Sequence, residues 1–322
     1  MKRSLKLLLA LLAFAAGTAA HAQKWPDKPV TIVVPYPPGG NVDTAARIVA
    51  QGLQQTIGGT FIVENKAGAG GMIGVGSVAK AAPDGYTLLV SSNGPLLYSP
   101  VIFGRATYKW DKDFLPISSI SFTPMLLQVH PSIPAKTVNE FLAMAKKAPG
   151  ELLFASPGAG TSNHLVAELM HSLTGAEWTT VHYKGNAPAI TDLLAGHVNF
   201  SFDQVSVALP HIKQGKLRPI AVTSDKRVES LPDVPTFEEA GLKGMEASTF
   251  TGMLAPAGTP KAIVGQLNRA LAKILQDKQV IHKFDGLGAD ARASTPEAFT
   301  KFLKQEDAKW TPIIKRANIT AN

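Results

Sequence analysis

The sequence predicts an α/β protein. Two observations carry that prediction. Apolar, β-branched runs alternate with stretches of helical spacing along nearly the whole chain. The junctions between them are Pro/Gly turns of the kind that lead a strand into a helix. The clearest unit comes first. Val30–Val34 reads as a buried strand that stops at Pro35 and passes through Tyr36-Pro37-Pro38-Gly39-Gly40. A helix follows, with Val42, Ala45, Ala46, Val49 and Leu53 on one face.

Further strands are expected near Phe61–Glu64 and Thr87–Ser91, with helices at about Val42–Ile57 and Met72–Ala82. Pro83-Asp84-Gly85 turns the chain into the third strand. Residues 92–116 read as irregular, because Pro95, Pro100, Gly104 and Pro116 interrupt them. A second alternating block starts at Met125–Val129. It predicts helices at Val138–Lys147, Ser162–Leu173, Pro188–Ala195 and Val205–Gln214. Its strands are Leu152–Ala155, Thr180–Tyr183, Val198–Phe202 and Arg218–Thr223. Two long helices close the chain, opened by Thr259-Pro260 and Thr295-Pro296-Glu297, the second running toward Ile314. The alternation predicts mostly parallel sheets.

Met1–Ala22 has the layout of an export signal. Lys2, Arg3 and Lys6 precede the apolar run Leu7–Ala20, and Ala20-His21-Ala22 supplies a small-x-small cleavage site. The run falls short of the ~20 residues a membrane span needs. Removal of the segment leaves 322 − 22 = 300 residues, enough for two domains. The chain contains no cysteine, which excludes disulfides, thiol nucleophiles and a lipidated N-terminal cysteine. Without the three signal cations, 29 basic residues face 24 acidic ones, and they are spread along the chain. That distribution argues against nucleic acid and for a weak attraction toward small anions.

Two loops carry the candidate chemistry. In Tyr36–Gly40, with Pro38, Gly39 and Gly40 before a helix start and Asp43 just inside it, backbone N–H groups and the helix dipole suit a carboxylate. The loop has no Lys, Arg, His or Cys, so it is suited to holding a ligand rather than transforming one. Ser156-Pro157-Gly158-Ala159-Gly160-Thr161-Ser162 repeats the design, with Ser156, Gly160, Thr161 and Ser162 as candidate donors. Plain N-capping by Thr161 or Ser162 explains the same residues. Two such loops in two α/β blocks suggest one ligand clasped between domains.

Other strand ends add Ser92 and Asn93, and Tyr183 beside Lys184. Asp203 stands just past an apolar strand, where it meets a ligand or caps the next helix. Phe250 covers a ligand or packs in the core. Gly74-Val75-Gly76-Ser77-Val78-Ala79 fits a dinucleotide fingerprint but begins about ten residues after its strand and lacks the acid that follows such motifs. No cofactor is expected. His164, Glu168 and His171 share a helix face, read as a polar face rather than a metal site. No G-x-S-x-G, H-E-x-x-H or P-loop is present.

Together these residues resemble the extracytoplasmic solute receptors of tripartite tricarboxylate transporters, the Bug family. The markers span the mature chain. They include Trp25–Pro29, Tyr36–Gly40 with Asp43 and Arg47, Glu64-Asn65-Lys66, Pro83–Leu88, Gly160-Thr161-Ser162 with His164 and Tyr183-Lys184-Gly185. Leu231–Thr236, Glu239-Ala240-Gly241 and Leu254–Pro260 complete the set. The resemblance implies a periplasmic binding protein fold, two α/β domains around a ligand cleft joined by two crossover strands. Domain 1 would comprise residues 23–122 plus 251–322, and domain 2 residues 123–250. It implies a small organic carboxylate as ligand (a dicarboxylate, an aromatic acid or an amino acid), held by main-chain and hydroxyl groups of Tyr36–Gly40 and Gly160–Ser162. Ala159 departs from the polar residue many relatives carry, which puts one contact in doubt. Membrane transporter subunits are the implied partners, and a monomer is expected. The rival readings are a periplasmic enzyme acting on a similar acid and a ligand-loaded partner of a signalling protein.

Overall fold

A computed structural model describes residues 25–183 and 185–320. The export signal and Lys184 lie outside the described residues. Among the described residues, eight of ten strands follow one curled path in the order β2-β1-β3-β9-β4-β7-β5-β6, and β10 and β8 pair with β4 off that path. In the first sheet, β1 (Val30–Val34) lies parallel to both β2 (Phe61–Asn65) and β3 (Thr87–Ser92). In the second, β5 (Leu153–Ser156) is parallel to β6 (Thr179–His182) and β7 (Phe200–Gln204). The intervening helices are α1 (Asn41–Ile57), α2 (Met72–Ala79), α3 (Ser99–Phe103) and α4 (Trp110–Asp113) in the first part. In the second they are α5 (Val138–Lys147), α6 (Ser162–Thr174), α7 (Asn186–Leu194) and α8 (Val205–Lys213), before β8 (Arg218–Val222). The chain ends with α9 (Lys261–Ile274), α10 (Lys278–Asp285), β10 (Asp290–Ala291) and α11 (Pro296–Arg316).

The sheets are mixed, not mostly parallel as the alternation predicted. β4 (Phe114–Val129) and β9 (Ser248–Pro256) pair antiparallel from Phe114↔Pro256 to Pro124↔Ser248. Beyond Pro124, β4 changes partners and pairs with β7 from Met125↔Gln204 to Val129↔Phe200. One strand therefore serves both sheets, while β9 brings the chain back beside it. The first three residues of β4, Phe114–Pro116, fall in the stretch expected to be irregular, and residues 117–124 were assigned to no element. Pro116 is accommodated where the register shifts between Pro116 and Ser118. The serines are satisfied from the side: Ser118 Oγ donates to the Ser294 carbonyl at 3.0 Å, and Ser119 Oγ donates to that of Arg292 at 2.6 Å. The rest of residues 92–116 is also ordered, as a π-helical turn at Gly94–Tyr98 followed by α3 and α4.

Both faces of the sheet are covered, as strand alternation shows. Ile32 and Val34 join a core with Val49, Leu53, Leu267 and Leu271 beneath α1 and α9. Val33 joins the opposite core, which runs through Leu89, Phe154, Phe202, Phe250 and Phe299 and so spans both sheets. The glycines of the dinucleotide-like motif are packing devices inside α2. A Cβ on Gly74 would sit 2.5 Å from the Lys66 carbonyl oxygen, and one on Gly76 2.8 Å from Thr107 Oγ1.

Candidate ligand cleft

The first loop is braced by charge. Asp43 is 2% exposed, and its carboxylate accepts from Gly39 N (2.8 Å), Arg47 Nε (3.0 Å) and Asn65 Nδ2 (2.9 Å). Burial opposes the ionised form, but these donors outweigh it and hold its pKa below the ordinary carboxylate value. Asn65 Nδ2 also donates to the Tyr36 carbonyl at 3.0 Å, tying the loop to the end of β2. Gly39, at φ +91°, therefore has its N–H engaged within the loop. The open donors lie one step on: Gly40 precedes α1 with no side-chain cap, so the first turn of α1 presents its N–H groups uncapped. Pro38, Gly39 and Gly40 are exposed at the rim. Behind them Tyr36 Oη and Ser92 Oγ share a hydrogen bond of 2.6 Å, and burial pushes the tyrosine pKa up to about 12.

The second loop is braced by neutral groups. Thr161 Oγ1 accepts from His164 N at 3.3 Å, capping α6, and donates to the Gly158 carbonyl at 2.8 Å. Gly160, at φ +74°, donates its N–H to His164 Nδ1 at 3.1 Å. That nitrogen is an acceptor, so Nε2 carries the ring proton and faces Glu168 Oε1 at 3.5 Å. Ser156 Oγ donates to the Gly158 carbonyl (3.1 Å) and meets His182 Nδ1 (3.1 Å), whose ring packs edge-on against His164. Burial, then the neighbouring His164, lowers the His182 pKa. Ser162 is half-buried at the start of α6. His171 turns away, to the Ala176 carbonyl.

Asp203 lies inside β7 rather than past its end. It is 2% exposed and accepts from Ser201 Oγ (2.5 Å), Gln128 Nε2 (2.9 Å) and Asn163 Nδ2 (3.1 Å). Burial outweighs these donors and pushes its pKa up to about 6. It anchors the first turn of α6 from below and does not cap α8. Asn93 and Phe250 belong to the base of the crossover. Asn93 Nδ2 donates toward the Ser248 carbonyl (3.2 Å) and Glu306 Oε2 (3.2 Å), while its Oδ1 accepts from Phe250 N (2.9 Å). The Phe250 ring is fully buried against Phe299 and Phe302. Tyr183 Oη donates to Asp192 at 2.8 Å, which turns it toward α7.

The two glycine loops border one seam. Asn41, the first residue of α1, donates through Nδ2 to Gln204 Oε1 at 2.9 Å, at the end of the strand beside β5. On the other flank Gly160 lies against Ile102 and Ile319. Asn41, Asn65 and Gln204 were not among the residues singled out from sequence as ligand contacts. Their signal was position alone: a polar residue at the end of a strand or the start of a helix next to a glycine loop. A separate cavity of about 920 Å³ opens at the crossover edge. Its walls include Phe122, Pro124 and Ser248 of the crossover strands, with Ala247, Ser224 and Arg292. None of the loop candidates lines it.

Comparison with known proteins shows the family and the fold. Residues 45–319 match the family model described as the tripartite tricarboxylate transporter family receptor. The periplasmic binding protein BugD is 36% identical, with TM-score 0.76, covering 92% of this chain and 100% of its own. An R. palustris protein solved with adipate is 34% identical, with TM-score 0.79, covering 92% and 99%. MatC from Rhodopseudomonas palustris, solved with bound malate, is 33% identical, with TM-score 0.76, covering 90% and 100%. The fold and these similarities define a solute-binding protein of the periplasmic type. Within that class, the chain belongs to the tripartite tricarboxylate transporter receptor family. Among the described residues no helix is long and apolar enough to cross a membrane.

Proposed function

We propose that this protein captures a small organic dicarboxylate in the periplasm and delivers it to a membrane transporter of the tripartite tricarboxylate type. The carrying observation is the pair of cation-free glycine loops, β1–α1 and β5–α6: Asn41 after the first bonds Gln204, and Asn163 after the second bonds the neighbouring Asp203. Such loops recognise an anion through N–H and O–H groups. Adipate and malate in two relatives supply the ligand class. The proposed lobes are residues 23–122 with 251–322 and residues 123–250; the change of β4's partner after Pro124, close to that boundary, supports the division. Export by cleavage after Ala22, action as a monomer and binding without turnover complete the reading.

The test is a thermal-shift panel of carboxylates on refolded, ligand-stripped mature protein. A ligand at ~100-fold its Kd stabilises by about 2.7 kcal/mol, a shift of several degrees. A dicarboxylate that shifts the melt and is recovered unchanged supports the receptor. Consumption of the acid would replace it with an enzyme.

A further inference from the structure

We infer that Asn41 and Gln204 form a latch whose hydrogen bond sets how much of the protein is closed, and through that its affinity. The inference rests on the clasp reading above. Asn41 begins α1 and Gln204 precedes α8, and neither helix start has a side-chain cap. Closing the seam therefore brings two helix N-termini without side-chain caps together; Asp43 in the first turn of α1 offsets part of one, and the remaining like partial charges oppose closure. A bound anion offsets that repulsion. In its absence a neutral amide pair supplies attraction without adding charge.

The geometry suits this task. Asn41 Nδ2 donates to Gln204 Oε1 at 2.9 Å and lies 3.5 Å from Ser206 Oγ. Ser206 is met from a second direction by Gly288, where an added Cβ would lie 2.8 Å from the Ser206 nitrogen. The opposite flank, Gly160 on Ile102 and Ile319, is apolar contact without direction. Alternation along β7 turns Asp203 inward to its three donors and Gln204 outward to the seam. One strand end is thus anchored by one residue and latched by the next. In the same way, Asp43 fixes the loop that leads into Asn41. Asn41 and Gln204 are positioning residues: they act on the ligand through closure.

The absence of native cysteine allows a direct measurement. Spin labels on Gln51→Cys and Asn139→Cys, both exposed and one on each lobe, report the interlobe distance by electron–electron resonance. Spectra are taken without ligand and with saturating adipate or malate. The ratio of short- to long-distance populations should fall about five-fold in Asn41→Ala and in Gln204→Leu, the scale of one net hydrogen bond. The double variant should fall no further, and Gln204→Glu, which keeps the acceptor and adds a negative charge beside the two helix starts, should match or exceed the wild-type ratio without ligand. Unchanged ratios in the single variants, additive loss in the double variant, or a wild type lacking any short-distance population would overturn the latch. A Gln204→Glu protein as open as Gln204→Leu would also overturn it. If neither acid alters the wild-type distribution while the variants shift as stated, the latch stands and the dicarboxylate reading fails. Thermal melts of each variant show that it is folded.

Discussion

The two glycine loops look alike in sequence and are held in opposite ways. Beneath the first, Asp43 is ionised and bound by Arg47, Asn65 and Gly39. Beneath the second, the braces are Thr161, Ser156 and the unprotonated Nδ1 of His164, while the nearest buried carboxyl, Asp203, favours its neutral form up to about pH 6. The difference lies in which effect dominates. Three donors outweigh burial at Asp43, while burial outweighs three donors at Asp203. The first loop is thus a fixed anvil over the physiological pH range. The second is the side on which pH and small substitutions act.

The largest effect should come from removing the charged brace. Asp43→Ala leaves the Gly39 N–H and Asn65 amide without their acceptor and should cost about 3 kcal/mol. The Arg47 share is small, because that side chain is half exposed. A urea melt measures the loss, and a cost under 1 kcal/mol would mean the loop does not depend on its brace.

The two carboxyls should next show opposite pH dependence. Asp43, lowered on folding, contributes stability above its unfolded pKa that is lost as pH falls through the folded value. Asp203, raised from 3.8 to about 6, contributes stability that is full below pH ~4 and lost as pH rises through 6. At ~1.4 kcal/mol per tenfold change, that loss amounts to about 3 kcal/mol between pH 4 and 7. Asp203→Asn should flatten this part of the urea-midpoint profile. A wild type equally stable at pH 4.5 and 7, with the variant tracking it, would contradict the assignment.

Gly160→Ala should act next in size. Its φ of +74° costs a side-chain-bearing residue roughly 1–2 kcal/mol, and the new Cβ would meet Ile102 Cδ1. Carboxylate affinity should drop about ten-fold while the far-ultraviolet spectrum is unchanged. Full affinity in a folded variant would remove the second loop from the clasp. The smallest effects belong to single hydroxyls. Thr161→Ala deletes a cap, and Tyr36→Phe deletes the partner of Ser92, each costing about 1 kcal/mol. Two independent melts suffice, and equal losses would show both loops to be hydroxyl-supported to the same degree.

Strands and helices were legible where one chemical pattern dominates. α5, Val138–Lys147, needed only its spacing and its cap, and the Thr161 cap was visible for the same reason. The first half of β4 was hidden, because Pro116 and three serines look like a loop until residues 292–294 supply partners. α10 is only eight residues long and was missed although its spacing is amphipathic and Asp277 caps it. At the site, the loops could be read from their glycines, while their braces could not. The roles of Asp43, Asp203, Asn93 and Phe250 depend on partners from 4 to more than 200 positions away.

By itself the sequence determined the α/β class, the position of both glycine loops and the absence of charged or thiol chemistry in them. Those properties are local, set by backbone preference and side-chain type within a few residues. Only the tertiary structure decided that β4 serves two sheets, that Asp43 braces while Asp203 anchors, and that Asn41 meets Gln204. Strand pairing, burial and long-range hydrogen bonds join residues the chain keeps far apart, and the net balance of desolvation against donors exists only once they are assembled.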